Sequence, residues 1–180
     1  MNFGVNMLEH KVNQAVIRLQ KEDLTAMDIE SIVHYANPNL VLGAGFGSAI
    51  VARGGMSIQE ELKSFGTIET GEAVITSAGE LKSDYIIHAA GPRFQEDETE
   101  QKLEKTMQRA LRVANDKGIV KIAFPPMGAG FYGIPLDVCA RIMLQSIKKH
   151  LADGSSLKEI VICVLDEREY KAFQKEWKIL

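Results

Sequence analysis

The chain of 180 residues has few of the features that mark several common classes of protein. It contains only two cysteines, Cys139 and Cys163, which are far apart in sequence and have no other metal-ligating residue beside them. The sequence therefore predicts neither a disulfide scaffold nor a metal site, and we expect both cysteines to be small buried apolar residues. Its 21 basic residues are outnumbered by 24 acidic ones. A net charge of -3 gives no general attraction to nucleic acid or to an anionic membrane, so nucleic-acid partners are not favoured.

Long apolar runs are absent as well. No stretch approaches the roughly 20 residues that a membrane span needs. The N-terminus lacks the basic start and apolar core of a secretory signal. We therefore expect a cytoplasmic protein with no membrane partner. Apolar residues make up 46% of the chain, which is enough to bury the core of one domain over residues 1–180.

The apolar residues follow two alternating periods. Short runs typical of strands recur at residues 15–17, 32–33, 73–75, 85–87, 122–124 and 160–165. Between most of them the spacing becomes helical, with apolar stripes that include Ile58, Leu62, Phe65, Leu103, Met107, Ala110, Cys139, Ile142, Met143, Tyr170, Phe173 and Trp177. Continuous apolar strands need cover on both faces. The pattern predicts an α/β fold, a three-layer α/β/α sandwich with a mixed, largely parallel central sheet.

Two glycine-rich turns each follow an apolar strand-like run. The first glycine turn is Gly-Ala-Gly-Phe-Gly at residues 43–47, and the second is Gly-Ala-Gly-Phe-Tyr-Gly at residues 128–133. Glycine lets main-chain N–H groups approach a phosphate, and a helix N-terminus adds partial positive charge. Ser48 is suited to cap a helix after the first turn, and Pro135 favours a first helical turn after the second. Neither turn contains a cationic side chain, so we expect main-chain amides to hold a diphosphate without cationic help.

The second turn is also a literal G-x-G-x-x-G, which leaves an oxidoreductase as the alternative. A Rossmann-type, NAD-dependent enzyme places this turn at the start of its domain and an acidic residue about 20 positions later, at the end of the next strand. Here the turn comes late, and Asp153 follows a helical stripe instead of a strand. The oxidoreductase hypothesis is therefore the weaker one.

Six segments, taken in order, resemble the motif series of the macrodomain family. They are residues 22–25, 32–40, 43–47, 70–73, 85–92 and 123–133, and the similarity extends over about residues 13–178. The resemblance implies a cleft for ADP-ribose on an α/β/α sandwich, free or protein-linked ADP-ribose as partner, and no metal or other cofactor. Some members hydrolyse ADP-ribosyl linkages or process ADP-ribose derivatives, so the resemblance also admits hydrolysis of ADP-ribosyl groups, O-acetyl-ADP-ribose or ADP-ribose 1''-phosphate.

The resemblance implies a role for particular residues. Asp23, with Leu24, would bind the adenine, and Asn37 would hold the distal ribose and orient the reactive end as the one catalytic residue. The alternatives from the residues alone are that Asp23 caps a turn and that Asn37 serves turn chemistry. Leu165 stands where many members stack an aromatic residue on the purine. The phosphates would be held by the main chain of Gly43, Ala44, Gly45, Phe46, Gly47 and Ser48, and of Gly128, Ala129, Gly130, Phe131 and Tyr132.

The chain departs from the family pattern at three further positions. Gly47 stands where the best-known mono-ADP-ribosyl hydrolases carry an aspartate that positions water, which favours binding over fast hydrolysis. In the motif Asn-Ala-Ala-Asn, His34 replaces the first Asn and Tyr35 an Ala. His34 lies three positions before Asn37, so in an alternating strand it would face the other side. We expect His34 and His88 to be packed or hydrogen-bonded residues outside the site.

Overall fold

Seven strands form one mixed sheet in the computed structural model, which describes residues 7–180. In space the strands follow the order β1-β2-β7-β6-β3-β5-β4. The five inner strands are parallel, whereas β1 and β4 are antiparallel edge strands. The strands are β1 (Leu8–Val12), β2 (Ala15–Lys21), β3 (Ser31–Ala36), β4 (Ala73–Ser77), β5 (Tyr85–Ala90), β6 (Lys121–Phe124) and β7 (Glu159–Val164).

Within residues 7–180, five helices cover the two faces of this sheet. They are α1 (Phe46–Gly54), α2 (Ser57–Lys63), α3 (Thr99–Lys117), α4 (Leu136–Ala152) and α5 (Glu167–Glu176). Side chains of α1 and α2 form one apolar cluster, and those of α3, α4 and α5 form another. Successive strand residues alternate between the clusters, as Ile32 and Val33 do on β3. The predicted α/β/α sandwich with a largely parallel sheet is confirmed.

Several local predictions can be compared with the structure. Both cysteines are buried, as expected. The spacing of Asp166 and Glu169 predicts a helix start, and Asp166 does cap α5 by accepting a hydrogen bond of 2.8 Å from the main-chain N–H of Glu169. Phe65 is exposed and lies beyond the end of α2, so its assignment to that apolar stripe is wrong. No helix within residues 7–180 is long and apolar enough to cross a membrane.

The parallel strands bring distant parts of the chain to one edge of the sheet. Because β2, β3, β5, β6 and β7 all run in the same direction, their carboxyl ends meet there. The residues that follow these ends are at 22–24, 37–47, 91–94, 125–133 and 165. These segments include every candidate site residue except Ser48, which lies in α1. Ligands of open α/β sheets bind at this edge.

Candidate functional site

The two glycine turns line a single cleft of about 710 Å³ at this edge. The two turns are more than 80 positions apart in the chain, so the topology of the sheet is what unites them. The cleft is lined by His34, Tyr35, Asn37, Val41, Gly43, Ala44, Gly45, Phe46, Gly47, Arg93, Phe94, Pro125, Pro126, Gly128, Ala129, Phe131 and Tyr132.

The first glycine turn leads directly into α1. Gly45 is the N-cap, at φ +66° and ψ -130°, a conformation that strongly favours glycine. The first N–H groups of a helix have no partner within it, and Phe46 and Gly47, the first two residues of α1, line the cleft. The expected cap by Ser48 is wrong. Ser48 lies inside the helix, where its hydroxyl donates to the Gly45 carbonyl at 2.7 Å.

The second glycine turn has a different local structure. Gly128 and Gly133 have φ of +79° and +75°, and between them Gly130–Tyr132 forms a 3-10 turn. The helix α4 begins only at Leu136, with Pro135 as its N-cap. The second turn therefore precedes a helix, as expected, but its own N–H groups are not those of the first helical turn, because residues 133–135 lie between them. Its tip is open, since Phe131 is 86% exposed.

Tyr35 fills the space beneath the second glycine turn. Its hydroxyl donates to the Pro92 carbonyl at 2.6 Å, and its ring contacts that of Tyr132 with centroids 4.5 Å apart. Any Cβ at Gly91 would lie 2.1 Å from the ring, and one at Gly128 would lie 3.1 Å from it. Burial raises the pKa of the Tyr35 phenol well above its usual value. The Tyr35 ring thus depends on glycine at position 91, whereas a Cβ at position 128 would first meet the Ile134 side chain, at 2.4 Å.

Arg93 and Phe94 line the cleft and were missed by sequence reasoning. They come shortly after the end of β5, behind Gly91 and Pro92. The sequence signal that could have indicated them is their position after the carboxyl end of a parallel strand. Phe94 lies over Gly133, where a Cβ would approach its ring to 2.7 Å. Arg93 thus brings a cationic residue to the cleft lining. The expectation that main-chain amides hold a diphosphate without cationic help stays a prediction.

Asn37 lines the cleft and also closes a turn. Its Nδ2 donates to the Val41 carbonyl at 2.9 Å, and its Oδ1 accepts from the Val41 N–H at 3.4 Å. The turn chemistry considered from the sequence is therefore present. The Asn37 side-chain amide has two N–H donors and two acceptor sites. The turn uses one of each, so one donor and one lone pair remain for a ligand.

Asp23, Leu24 and Leu165 are at the same edge of the sheet but are not among the residues that line the cleft. Asp23 caps the 3-10 turn Leu24–Ala26, with Oδ1 accepting from the Thr25 N–H and hydroxyl at 2.9 and 2.6 Å. The Thr25 hydroxyl, followed by the Thr25 N–H and Arg53, lowers the pKa of Asp23. The turn-capping alternative is therefore present, and Arg53 of α1 pairs with the other carboxylate oxygen at 2.9 Å.

The neighbouring strands β2 and β7 bring Asp23 and Leu165 together. The Glu22 N–H donates to the Val164 carbonyl at 3.0 Å, which aligns the two strand ends. The side chain of Leu165 is 73% exposed, whereas that of Leu24 is buried in the core. Of the other predicted residues, Ser48 and Gly130 are also outside the cleft lining.

His34 is the residue whose placement differs most from the prediction. It is hydrogen-bonded, as expected, with its Nδ1 3.1 Å from Nδ1 of His88. It nevertheless lines the same cleft as Asn37, because β3 ends at Ala36 and strand alternation does not extend to Asn37. Burial lowers the pKa of His34 to about 4 and that of His88 well below its usual value, the latter with a contribution from His34. Both rings are therefore neutral at pH 7.

The residues in and around the cleft lack the grouping of a metal centre. Within residues 7–180, no three side chains of histidine, cysteine, aspartate or glutamate gather closely enough to hold a metal ion. What the cleft does offer is main-chain N–H groups, one guanidinium, aromatic rings and the polar side chains of Asn37 and His34.

Comparison with known proteins gives consistent matches. The family model for the Macro domain matches residues 33–143. A Macro domain-containing protein of Caldanaerobacter subterraneus subsp. tengcongensis is 36% identical over 170 residues, which cover 91% of this chain and 97% of that protein. The Oceanobacillus iheyensis macrodomain with ADP is similar at a TM-score of 0.91 and 28% identity, over 97% of this chain and 96% of that one. The Trypanosoma brucei macrodomain in complex with ADP-ribose is similar at a TM-score of 0.83 and 29% identity, over 88% of this chain and 68% of that one.

Proposed function

This chain belongs to the Macro domain family, and on that premise we propose that it binds ADP-ribose, free or attached to a protein, in the cleft between its two glycine turns. The observation that carries the proposal is that both turns line one cleft, although they are distant in sequence. The cleft volume of about 710 Å³ lies within the range of small-molecule sites. Two similar solved structures are complexes with ADP and ADP-ribose.

The diphosphate is assigned to the two glycine turns. N–H groups at the start of α1 supply unpaired donors and the positive end of the helix dipole. The main chain of Gly128, Phe131 and Tyr132 would supply donors on the second turn, and Arg93, which lines the cleft, would add a positive charge. This combination suits a guest with two negative phosphates better than a neutral one.

The two ends of the ligand are assigned to the flanks of the cleft. Asp23 and Leu165 lie together at the ends of β2 and β7, where a carboxylate beside an exposed apolar side chain suits adenine. One acceptor site remains on the Asp23 carboxylate for the exocyclic amine, since three of about four are used. Asn37, with one free donor and one free lone pair, is assigned to the distal ribose.

Hydrolysis is the second activity, and its catalytic machinery is reduced. Position 47 has no carboxylate, so hydrolysis of an ADP-ribosyl or O-acetyl-ADP-ribose linkage would depend on a water held by Asn37 and by the ligand's own phosphate. Slow, metal-independent release is what this arrangement supports.

The oxidoreductase alternative finds little support. The strand order differs from the 3-2-1-4-5-6 order of a classic dinucleotide-binding fold. Its G-x-G-x-x-G turn enters a 3-10 turn instead of a helix, so the phosphate would meet no helix N-terminus there.

Calorimetric titration with ADP-ribose, ADP, AMP and NAD tests the proposal. We expect ADP-ribose to bind more tightly than AMP, since AMP lacks the diphosphate and the distal ribose. Asn37→Ala should weaken ADP-ribose binding by about two- to ten-fold, the value of one hydrogen bond. Asn39→Ala is the matched control, since Asn39 is exposed and outside the cleft lining. Tighter binding of NAD than of ADP-ribose would contradict the proposal, and a release assay on ADP-ribosylated protein separates binding from hydrolysis.

A further inference from the structure

A chain of hydrogen-bonding side chains runs from the edge strand β4 to the cleft. It crosses three neighbouring strands, from Thr76 on β4 to His88 on β5 and His34 on β3. The Oγ1 of Thr76 lies 2.9 Å from Nε2 of His88, and the two Nδ1 atoms are 3.1 Å apart. His88 is fully buried and His34 is 6% exposed, so water does not compete for these bonds inside the sheet.

The hydroxyl of Thr76 gives the chain a direction. It has a single proton, and its Oγ1 lies 2.8 Å from the Ser77 carbonyl oxygen. Two acceptor oxygens at that distance need a proton between them, so Thr76 donates to Ser77 and its Oγ1 accepts from Nε2–H of His88. A neutral imidazole has one donor and one acceptor nitrogen. The Nδ1 of His88 is therefore the acceptor, Nδ1 of His34 is the donor, and Nε2 of His34 carries a lone pair.

That lone pair lies beside the first glycine turn. A Cβ at position 47 would lie 3.6 Å from Nε2 of His34, and both residues line the cleft. No residue between 7 and 180 forms a hydrogen bond with this nitrogen. The sheet thus presents an unused, neutral acceptor beside position 47.

Resting on the proposed function, we infer that His34 contacts the ligand and that its Nε2 accepts a hydrogen bond from a hydroxyl of the distal ribose, directly or through one water. An acceptor role is favoured over that of a proton-abstracting base. A group with a pKa of about 4 takes up almost no proton at neutral pH, so it holds a hydroxyl or water in place. His34 thereby adds to Asn37 a second contact that distinguishes ADP-ribose from ADP.

Nitrogen NMR of the histidine rings tests the direction of the chain. In the free protein, we expect a proton on Nδ1 of His34 and on Nε2 of His88. A proton on Nε2 of His34 would overturn the inference, because this nitrogen would then be a hydrogen-bond donor toward the cleft instead of an acceptor. Addition of ADP-ribose should shift the His34 Nε2 resonance, whereas ADP should leave it in place. A resonance unmoved by bound ADP-ribose would also overturn the inference.

Paired ligands separate a contact from a structural role. His34→Leu should weaken ADP-ribose binding by about two- to ten-fold and leave ADP binding unchanged, as expected for loss of one hydrogen bond. Equal affinity of the variant and the wild type for ADP-ribose, or an equal loss for both ligands, would refute a contact with the distal ribose. If the wild type binds neither ligand, the proposed function itself fails. The proton positions in the ligand-free protein still show whether Nε2 of His34 is an acceptor, so the two failures can be told apart.

Thr76 provides a second variant pair away from the cleft, for use if His34→Leu does not fold. Thr76→Val removes the acceptor that fixes the proton on His88, so we expect a mixture of His34 tautomers and weaker ADP-ribose binding. Thr76→Ser keeps the hydroxyl and should restore both. A Thr76→Val protein with an unchanged His34 tautomer would contradict the direction of the chain.

Discussion

Gly91→Ala is expected to destabilise the protein only while Tyr35 is present. The new Cβ would lie 2.1, 2.2 and 2.3 Å from Cζ, Cε2 and the hydroxyl oxygen of Tyr35. These distances are far inside van der Waals contact, so one of the two groups must move. Gly91 does not have a positive φ, which leaves the Tyr35 side chain as the obstacle to a methyl group here.

The magnitude follows from how firmly the Tyr35 ring is held. Its hydroxyl is bonded to Pro92, and Gly128 and Tyr132 leave it little room to shift. Overpacking of a core typically costs 1–3 kcal/mol, and we expect about 3 kcal/mol for Gly91→Ala. Tyr35→Ala alone should cost about 3–5 kcal/mol, as for other large buried aromatic residues. In that background Gly91→Ala should cost about zero, because the ring is gone and alanine restricts the unfolded chain.

Urea denaturation of the four proteins measures the coupling between the two positions. We expect a coupling free energy of about 2–3 kcal/mol, within the range for residues in contact. Gly43→Ala is the matched control, since a Cβ there would have no atom within 4 Å and its φ is not positive. Its effect should be the same in both backgrounds. Additive effects of Gly91→Ala and Tyr35→Ala, within about 0.5 kcal/mol, would refute the packing described for this ring.

Three other predictions concern acid stability and ligand affinity. The pKa of His34 is about 4 in the folded protein against 6.5 in the unfolded chain, so the unfolded chain binds more protons between these pH values. Acidification from pH 6.5 to 5 should therefore lower the free energy of unfolding by on the order of 1–2 kcal/mol through His34. Urea denaturation should show a smaller loss for His34→Leu, and an equal loss would contradict the shift. Leu165→Phe should tighten ADP-ribose binding by part of the roughly 1–3 kcal/mol of base stacking, and an unchanged calorimetric affinity would count against its place beside adenine. Arg93→Ala should weaken ADP-ribose binding several-fold at low salt and less at high salt, whereas Arg112→Ala, an exposed control on α3, should change neither.

The sequence predicts the layers of the fold because apolar periodicity is a direct record of burial. Strands β2 to β7 and the cap of α5 follow from such local patterns. The edge strand β1 gives a weaker signal, since its apolar residues are only half-buried and alternate with the charged side chains of Glu9 and Lys11. Strand β1 is instead held by its antiparallel pairing with β2, which its own residues do not indicate.

The site is less accessible to local reasoning, because it is assembled from strand ends. Strand alternation predicts that His34 and Asn37 face opposite sides, but β3 ends at Ala36 and the side chain of Asn37 folds back to Val41. Arg93 belongs to the cleft only because β5 lies next to β3 in the sheet. Ser48 has the chemistry of a helix cap, yet the helix begins two residues earlier, at Phe46, and its N-cap Gly45 adopts a conformation that other residues avoid.

The two unusual residues of the motif after Val33 each have a partner on or directly after β5. His34 faces His88 in register, and the ring of Tyr35 occupies the space that Gly91 leaves free. Replacement of either one alone would leave a buried ring nitrogen without its partner or an empty space under the second glycine turn. The pair also changes the chemistry proposed for the distal end of the cleft. A carboxylate at position 47 would add negative charge near two phosphates, whereas the neutral His34 imidazole accepts a hydrogen bond without that repulsion. If ADP-ribose is the ligand, an imidazole in place of a carboxylate favours retention of the ligand over its hydrolysis. The His34 imidazole orients a hydroxyl or water but is too weak a base to take its proton.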